Sequence, residues 1–197
     1  MAYRVTFRDS GGFNLGPIGF LIIANLLFFM VTFMLPDLKF LLGFHPSIMD
    51  IRPWTIITNI FVHADIWHIF TNMIALYFFG SYVIRLVGER NFLIVYFIGG
   101  LLGNIFYWLI LTPPYVAVGA SGAIFALGGA LTMMRPKLTV FVIPIPVPLP
   151  LWVVVIGGFL ILSFAPSVAW QAHLGGLVFG LIMGYFFKKR QRQFYWT

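Results

Sequence analysis

Four polar residues of this chain have the types needed to open an acyl bond. Ser121, in "AVGASGAIFALGGA", carries a hydroxyl that becomes a usable nucleophile when an imidazole within hydrogen-bond reach takes its proton. His173, in "AHLGG", can supply that imidazole. His68 and Asn72, spaced i and i+4 in "HIFTN", project from one helical face and offer donors to a developing oxyanion, together with the backbone N–H of Ser121. Each residue also has a plainer reading. A lone Ser in a Gly/Ala stripe is a common spacer between packed helices, and a single His can act as an interhelical hydrogen-bond former. A metal site of His63, Asp65, His68 and His173 is another alternative. It fits less well, because His63 and His68 are five residues apart and do not share a helical face, and Asp65 falls at the wet edge of its span.

The elements that must position these residues are membrane helices. The chain is 61% hydrophobic and 9% charged, with 23 Phe among its 197 residues and a mean hydropathy of +0.99, outside the range of soluble domains. It contains no cysteine, which excludes disulfides, thiolate nucleophiles and Cys-ligated zinc or clusters. Taking about 20 apolar residues as a membrane crossing, six spans follow, at roughly 17–36, 64–84, 92–112, 119–134, 149–165 and 168–187. The expected fold is an all-α integral membrane protein, a six-transmembrane-helix bundle forming a single domain over residues 1–197. The first span follows Arg4 and Arg8 as a signal peptide would, but no small-residue cleavage pattern precedes Pro36 and Asp37, so it reads as a retained helix.

If the six spans alternate, Arg4, Arg8, Arg85, Arg90, Arg135, Lys137, Lys188, Lys189, Arg190 and Arg192 fall on one side, and Lys39 and Arg52 on the other. The excess of Lys and Arg marks the cytoplasmic side, so both termini are expected there. Topology thereby accounts for the formal charge of +7 without a nucleic-acid partner. The external connection, about residues 37–63, is rich in apolar and aromatic groups and is expected to lie partly in the interface. "IPIPVPLP", 143–150, reads as a connection along the inner interface and not as a polyproline ligand, since its intervening residues are apolar.

Counting helix rise from the cytoplasmic charges gives a depth for each candidate. From Ser121 to Met134 is about 21 Å, from His173 to Phe187 about 22 Å, from Asn72 to Ile84 about 20 Å and from His68 about 25 Å. Against a hydrocarbon core of about 30 Å, all four lie at one level, roughly 5 to 10 Å below the external edge. "TPPYVAVGA", just before Ser121, is therefore expected to dip into the protein and deliver Ser121 at a helix N-terminus facing a water-filled pocket, since exposed loops are not tolerated at that depth. There the helix dipole and free N–H groups favour developing negative charge. Gly122, Ala126 and Ala130 on span four, and Ala172, Gly176, Gly180 and Gly184 on span six, form small-xxx-small stripes that allow close approach. Asn104 and Gln171 read as interhelical hydrogen-bond formers.

From about Trp54 to Gly184 the chain resembles the rhomboid family of intramembrane serine proteases. The H-x-x-x-N of His68 and Asn72 looks like the family's second-helix motif, with His63 at an upstream histidine often found there. The G-x-S-G of Gly119 to Gly122 looks like the nucleophile motif, and the A-H-x-x-G of Ala172 to Gly176 like the motif that holds the base. The resemblance implies a Ser121–His173 dyad without an acid, an oxyanion held by His68, Asn72 and the Ser121 amide, and an aromatic ring, Phe125, against the catalytic histidine. It implies transmembrane-helix substrates cut near the external face of the cell membrane, with no metal and no other cofactor. Two positions depart from the family pattern: Thr55 follows Trp54 where many members have Arg, and Ile84 stands where many have Glu. Both bear on the polar bracing of the first loop. A non-catalytic relative that holds client helices and a small transporter are the competing classes; the latter more often shows repeated halves.

Overall fold

The computed structural model describes residues 16–110, 116–142, 146–165 and 168–194. Arg4 and Arg8, Pro113 and Pro114 of the dipping loop, and Pro144 lie outside the described residues. Six apolar helices, four long and two shorter, follow the six apolar runs: α1 (Gly16–Met34), α4 (Ile66–Val87), α5 (Glu89–Leu109), α6 (Ser121–Met134), α7 (Leu151–Ser163) and α8 (Trp170–Phe194). Two short helices, α2 (Leu38–Leu42) and α3 (Thr55–Thr58), lie in the first connection. Helices α1, α4, α5 and most of α8 are long and apolar enough to cross a membrane, whereas α6 and α7 have only 14 and 13 residues. Boundaries differ from the sequence expectation at the charged joint between the second and third spans. Arg85 lies in the last turn of α4 and Glu89 opens α5, with Gly88 alone between them at φ 83°, a conformation that glycine adopts without strain. Helix α8 also continues through "KKRQRQ" beyond the expected end at 187.

The bundle is organised around α6. Eleven of its fourteen residues are buried, as expected of a helix that is apolar all round. Its small-residue stripe meets that of α8 backbone to backbone: a Cβ added to Gly176, Gly180 or Gly184 would run into the carbonyl of Gly122, Ala126 or Ala130 respectively. Helix α5 closes the other flank, with Gly103 against the Ala172 carbonyl and Gly99 against Ala126. Helix α7 is the looser outer member. It buries only Leu151 and Val155, and Gly157 and Gly158 have no neighbour within 4 Å of a built Cβ.

The first connection is folded rather than extended, with 3₁₀ turns at Pro46–Ile48 and Asn59–Phe61 beside α2 and α3. Its loose ends are tied by side chains to backbone carbonyls: Lys39 Nζ donates to Ala64 O (2.8 Å), Arg52 to Phe40 O (3.1 Å) and Thr58 Oγ1 to Leu42 O (2.7 Å). The proline-rich connection is flanked by a two-residue antiparallel ribbon, β1 (Thr139–Val140) with β2 (Leu149–Pro150), pairing Thr139 with Pro150 and Val140 with Leu149.

Candidate active site

Three helix starts meet at one end of the bundle. Helix α4 begins where the carboxylate of Asp65 accepts from the N–H groups of Trp67 and His68, both at 2.9 Å, so His68 lies in the first turn and Asn72 one turn on. Helix α6 begins at Ser121 itself, and no side chain caps it, leaving its first N–H groups directed at the space above. His173 is in the first turn of α8. The stripe packing of α6 on α8 brings the last two side chains together: Ser121 Oγ lies 2.7 Å from His173 Nε2. Phe125, one turn below Ser121, stacks on the imidazole with ring centroids 4.7 Å apart and planes tilted by 32°. His173 is 6% exposed, and its Nδ1 has no hydrogen-bond partner among the described residues. The pair therefore has no acidic third member there, and the ring is oriented by packing.

Beside this pair His68 lies close to the segment that leads into Ser121. His68 Nδ1 accepts a long hydrogen bond from the Ala64 N–H (3.4 Å), which leaves the proton on Nε2. That Nε2 faces Gly119, whose φ is 119°; a Cβ built there would stand 2.7 Å from His68 Nε2 and 3.7 Å from Ser121 Oγ. Glycine at 119 thus lets the His68 imidazole lie directly against the backbone that leads into Ser121. Asn72, 6% exposed, gives one amide hydrogen to His68 O (2.7 Å) and keeps the second. Ser121, His173, His68, Asn72, Gly119 and Gln171 are among the residues that line a cavity of about 840 Å³. Gly122 lies against the Ala172 carbonyl and Gly176 against Gly122. His63 is fully buried with its ring edge-on to His68, centroids 5.0 Å apart at 68°. Burial, and secondarily His68, pushes the His63 pKa down to about 3, so it serves as a neutral wall behind His68. The Asp65 carboxylate is engaged in capping, and among the described residues no three His, Cys, Asp or Glu side chains converge as a metal-binding group.

A family model described as Rhomboid domain matches residues 51–190. The chain belongs to the rhomboid family. It is 31% identical over 165 residues to Rhomboid protein 1, mitochondrial, of Saccharomyces cerevisiae, covering 71% of this chain and 44% of that one. It is similar to two Bacillus subtilis rhomboids: YdcA, 29% identical over 77% of this chain and 76% of the relative, and rhomboid protease GluP, 33% identical over 64% and 24%. The chain thus spans less than half the length of the yeast relative and about a quarter of GluP. Where this rhomboid departs from the family pattern at Thr55, the first loop is still braced. Trp54 Nε1 donates to Leu41 O (3.1 Å) and Thr55 Oγ1 to Arg52 O (2.7 Å), so carbonyl acceptors hold the loop.

One part of the site escaped the sequence reading. The segment before Ser121 is held by the first connection through an antiparallel bridge, in which Phe44 N donates to Ala117 O (2.9 Å) and Ala117 N to Phe44 O (2.8 Å), and through Gly119 N to Asn59 O (2.9 Å). These bonds satisfy the backbone of the segment that leads into Ser121. Asn59 was not among the candidates. Its signal was indirect: Asn104, expected to bond between helices, instead bonds Asn59 and so needs a partner in the loop.

Proposed function

We propose that this chain is an intramembrane serine endopeptidase whose nucleophile is Ser121 and whose general base is His173. The single observation that carries the proposal is the 2.7 Å contact between Ser121 Oγ and His173 Nε2 at the uncapped start of a buried helix. A substrate carbonyl carbon approaching Ser121 Oγ forms the new C–O bond as the hydroxyl proton passes to Nε2. The carbonyl oxygen becomes an oxyanion in the space facing His68 Nε2, Asn72 and the Ser121 amide. His173 then returns the proton to the departing amine nitrogen as the C–N bond breaks, and a water, deprotonated by the same imidazole, releases the acyl group. The chain crosses the membrane six times with both termini in the cytoplasm, lies in the cell membrane, and cuts transmembrane-helix substrates near the external face. The one-sided distribution of Lys and Arg and the common depth of the four polar groups support that orientation. The short α6 counts as a span because neighbouring helices enclose it, and α7 because its sequence is apolar throughout. Purified protein incubated with a serine-directed fluorophosphonate is expected to take one label, absent from Ser121→Ala and His173→Ala. A parent protein that stays unlabelled, or a Ser121→Ala variant that labels equally well, refutes the proposal.

A further inference from the structure

We infer that the paired carboxamides of Asn59 and Asn104 are positioning residues that fix Gly119, and with it the geometry of the oxyanion space. The inference rests on the hydrolytic reading of Ser121 and His173. Both Asn side chains are buried, at 2% and 4% exposure, where an unpaired carboxamide is strongly unfavourable. They resolve this reciprocally: Asn59 Nδ2 donates to Asn104 Oδ1 (3.0 Å) and Asn104 Nδ2 to Asn59 Oδ1 (2.8 Å). The other hydrogen of Asn104 goes to Ile56 O at 2.7 Å. Asn104 therefore ties the turn spanning residues 56–61 to α5 at two points. Gly100, one helical turn earlier on α5, lets the same turn lie close, since a Cβ there would stand 2.7 Å from Ile60 Cδ1.

The backbone of that turn then reaches the reaction centre. Asn59 O accepts the Gly119 N–H, and Gly119 is the residue whose missing Cβ faces His68 Nε2. The Phe44–Ala117 bridge fixes the segment two residues earlier, and by itself leaves Val118 and Gly119 free to pivot about it. Asn59 O is the second fixed point. His68 is anchored mainly in α4 through the Asp65 cap, with a long hydrogen bond from Ala64 N–H to its Nδ1. Loosening the Asn pair therefore shifts Gly119 and Ser121 relative to His68, whose helix is capped separately by Asp65, a misalignment of donor and nucleophile.

The test compares parent, Asn59→Leu, Asn104→Leu and the double variant as full-length protein in liposomes. Three quantities are measured: the thermal midpoint, the fluorophosphonate labelling rate, and kcat and KM on a transmembrane substrate. Each single variant strands a buried carboxamide and loses stability, whereas the double variant strands neither and recovers much of it. If the pair positions Gly119, the recovered double variant still labels and turns over roughly ten- to a hundredfold more slowly than the parent, with KM little changed, because a displacement of order 1 Å suffices for such a loss. A double variant that regains the parental labelling rate along with its stability overturns the inference. So does a loss confined to KM at parental labelling rate, which would make Asn104 a substrate contact. The smaller Asn59→Ala/Asn104→Ala pair serves the same comparison if the Leu pair does not fold. An unlabelled parent would instead strike the hydrolytic reading itself, a different outcome from labelled parent and unaffected variants.

Discussion

Replacing Gly119 by Ala separates the oxyanion space from the nucleophile. The new Cβ would stand 2.7 and 2.8 Å from Nε2 and Cε1 of His68, whereas ordinary contact begins at 3.4 Å, so the imidazole must retreat by 0.7 Å (3.4 − 2.7) or the segment must shift. The same Cβ lies 3.7 Å from Ser121 Oγ, an ordinary contact, so the Ser121–His173 hydrogen bond is left in place. Loss of one such donor lowers kcat by about 10²- to 10³-fold. The backbone adds a second effect, since a non-glycine residue at φ 119° is strained by about 1–3 kcal/mol. Gly88→Ala isolates that second effect: its φ is 83°, and a Cβ there meets nothing within 4 Å. Thermal unfolding and cleavage of a transmembrane substrate in liposomes are measured for both. The two variants are expected to lose similar stability, and only Gly119→Ala to lose turnover by two to three decades. Parental kcat in Gly119→Ala would mean that the oxyanion does not occupy the space beside His68.

Three further outcomes follow from the same geometry. His173 accepts a proton only when neutral, so kcat/KM is expected to fall on acidification as the imidazole titrates, and a profile flat into strong acid would remove it as the base. His63, with its pKa near 3 folded against 6.5 unfolded, binds its proton only in the unfolded chain between those values; folding stability therefore drops as pH falls from 6.5 toward 3. His63→Phe should flatten that part of the thermal-midpoint profile, and an unchanged slope would show that His63 charges in place. Gly176→Leu should drive α6 from α8 at Gly122, costing more than about 1–3 kcal/mol and abolishing labelling, whereas Gly157→Leu on the open side of α7 should do neither. Equal labelling of both would show that the stripe contact does not hold the dyad.

The helices and the meeting of Ser121 with His173 were legible because both depend on local pattern. Apolar runs located six helices, i+4 stripes of small residues located the α6–α8 contact, and rise per residue brought Ser121, His173, His68 and Asn72 to one level. What was not legible depends on partners far apart in the chain. The Asn59–Asn104 pair joins residues 45 apart, and the Phe44–Ala117 bridge joins two loops that carry no strand pattern. The joint at Gly88 was missed for another reason. Arg85, Glu89 and Arg90 suggested a loop, but charged residues at helix ends can stay helical while their side chains reach the interface, and one glycine at positive φ makes the turn.

The brevity of α6 bears on how the protein is made. A helix of 14 residues is about 21 Å long, short of the roughly 30 Å of hydrocarbon, and its surface is almost wholly committed to neighbours. Released into lipid on its own, it would leave the ends of its backbone unsatisfied. It becomes a stable membrane element only once α4, α5 and α8 enclose it, and α8 is the last of these to leave the ribosome. Because Ser121 is the first residue of α6 and His173 lies on α8, the two side chains meet only when these helices pack together. A chain in which α8 has not yet packed on α6 therefore lacks the Ser121–His173 contact.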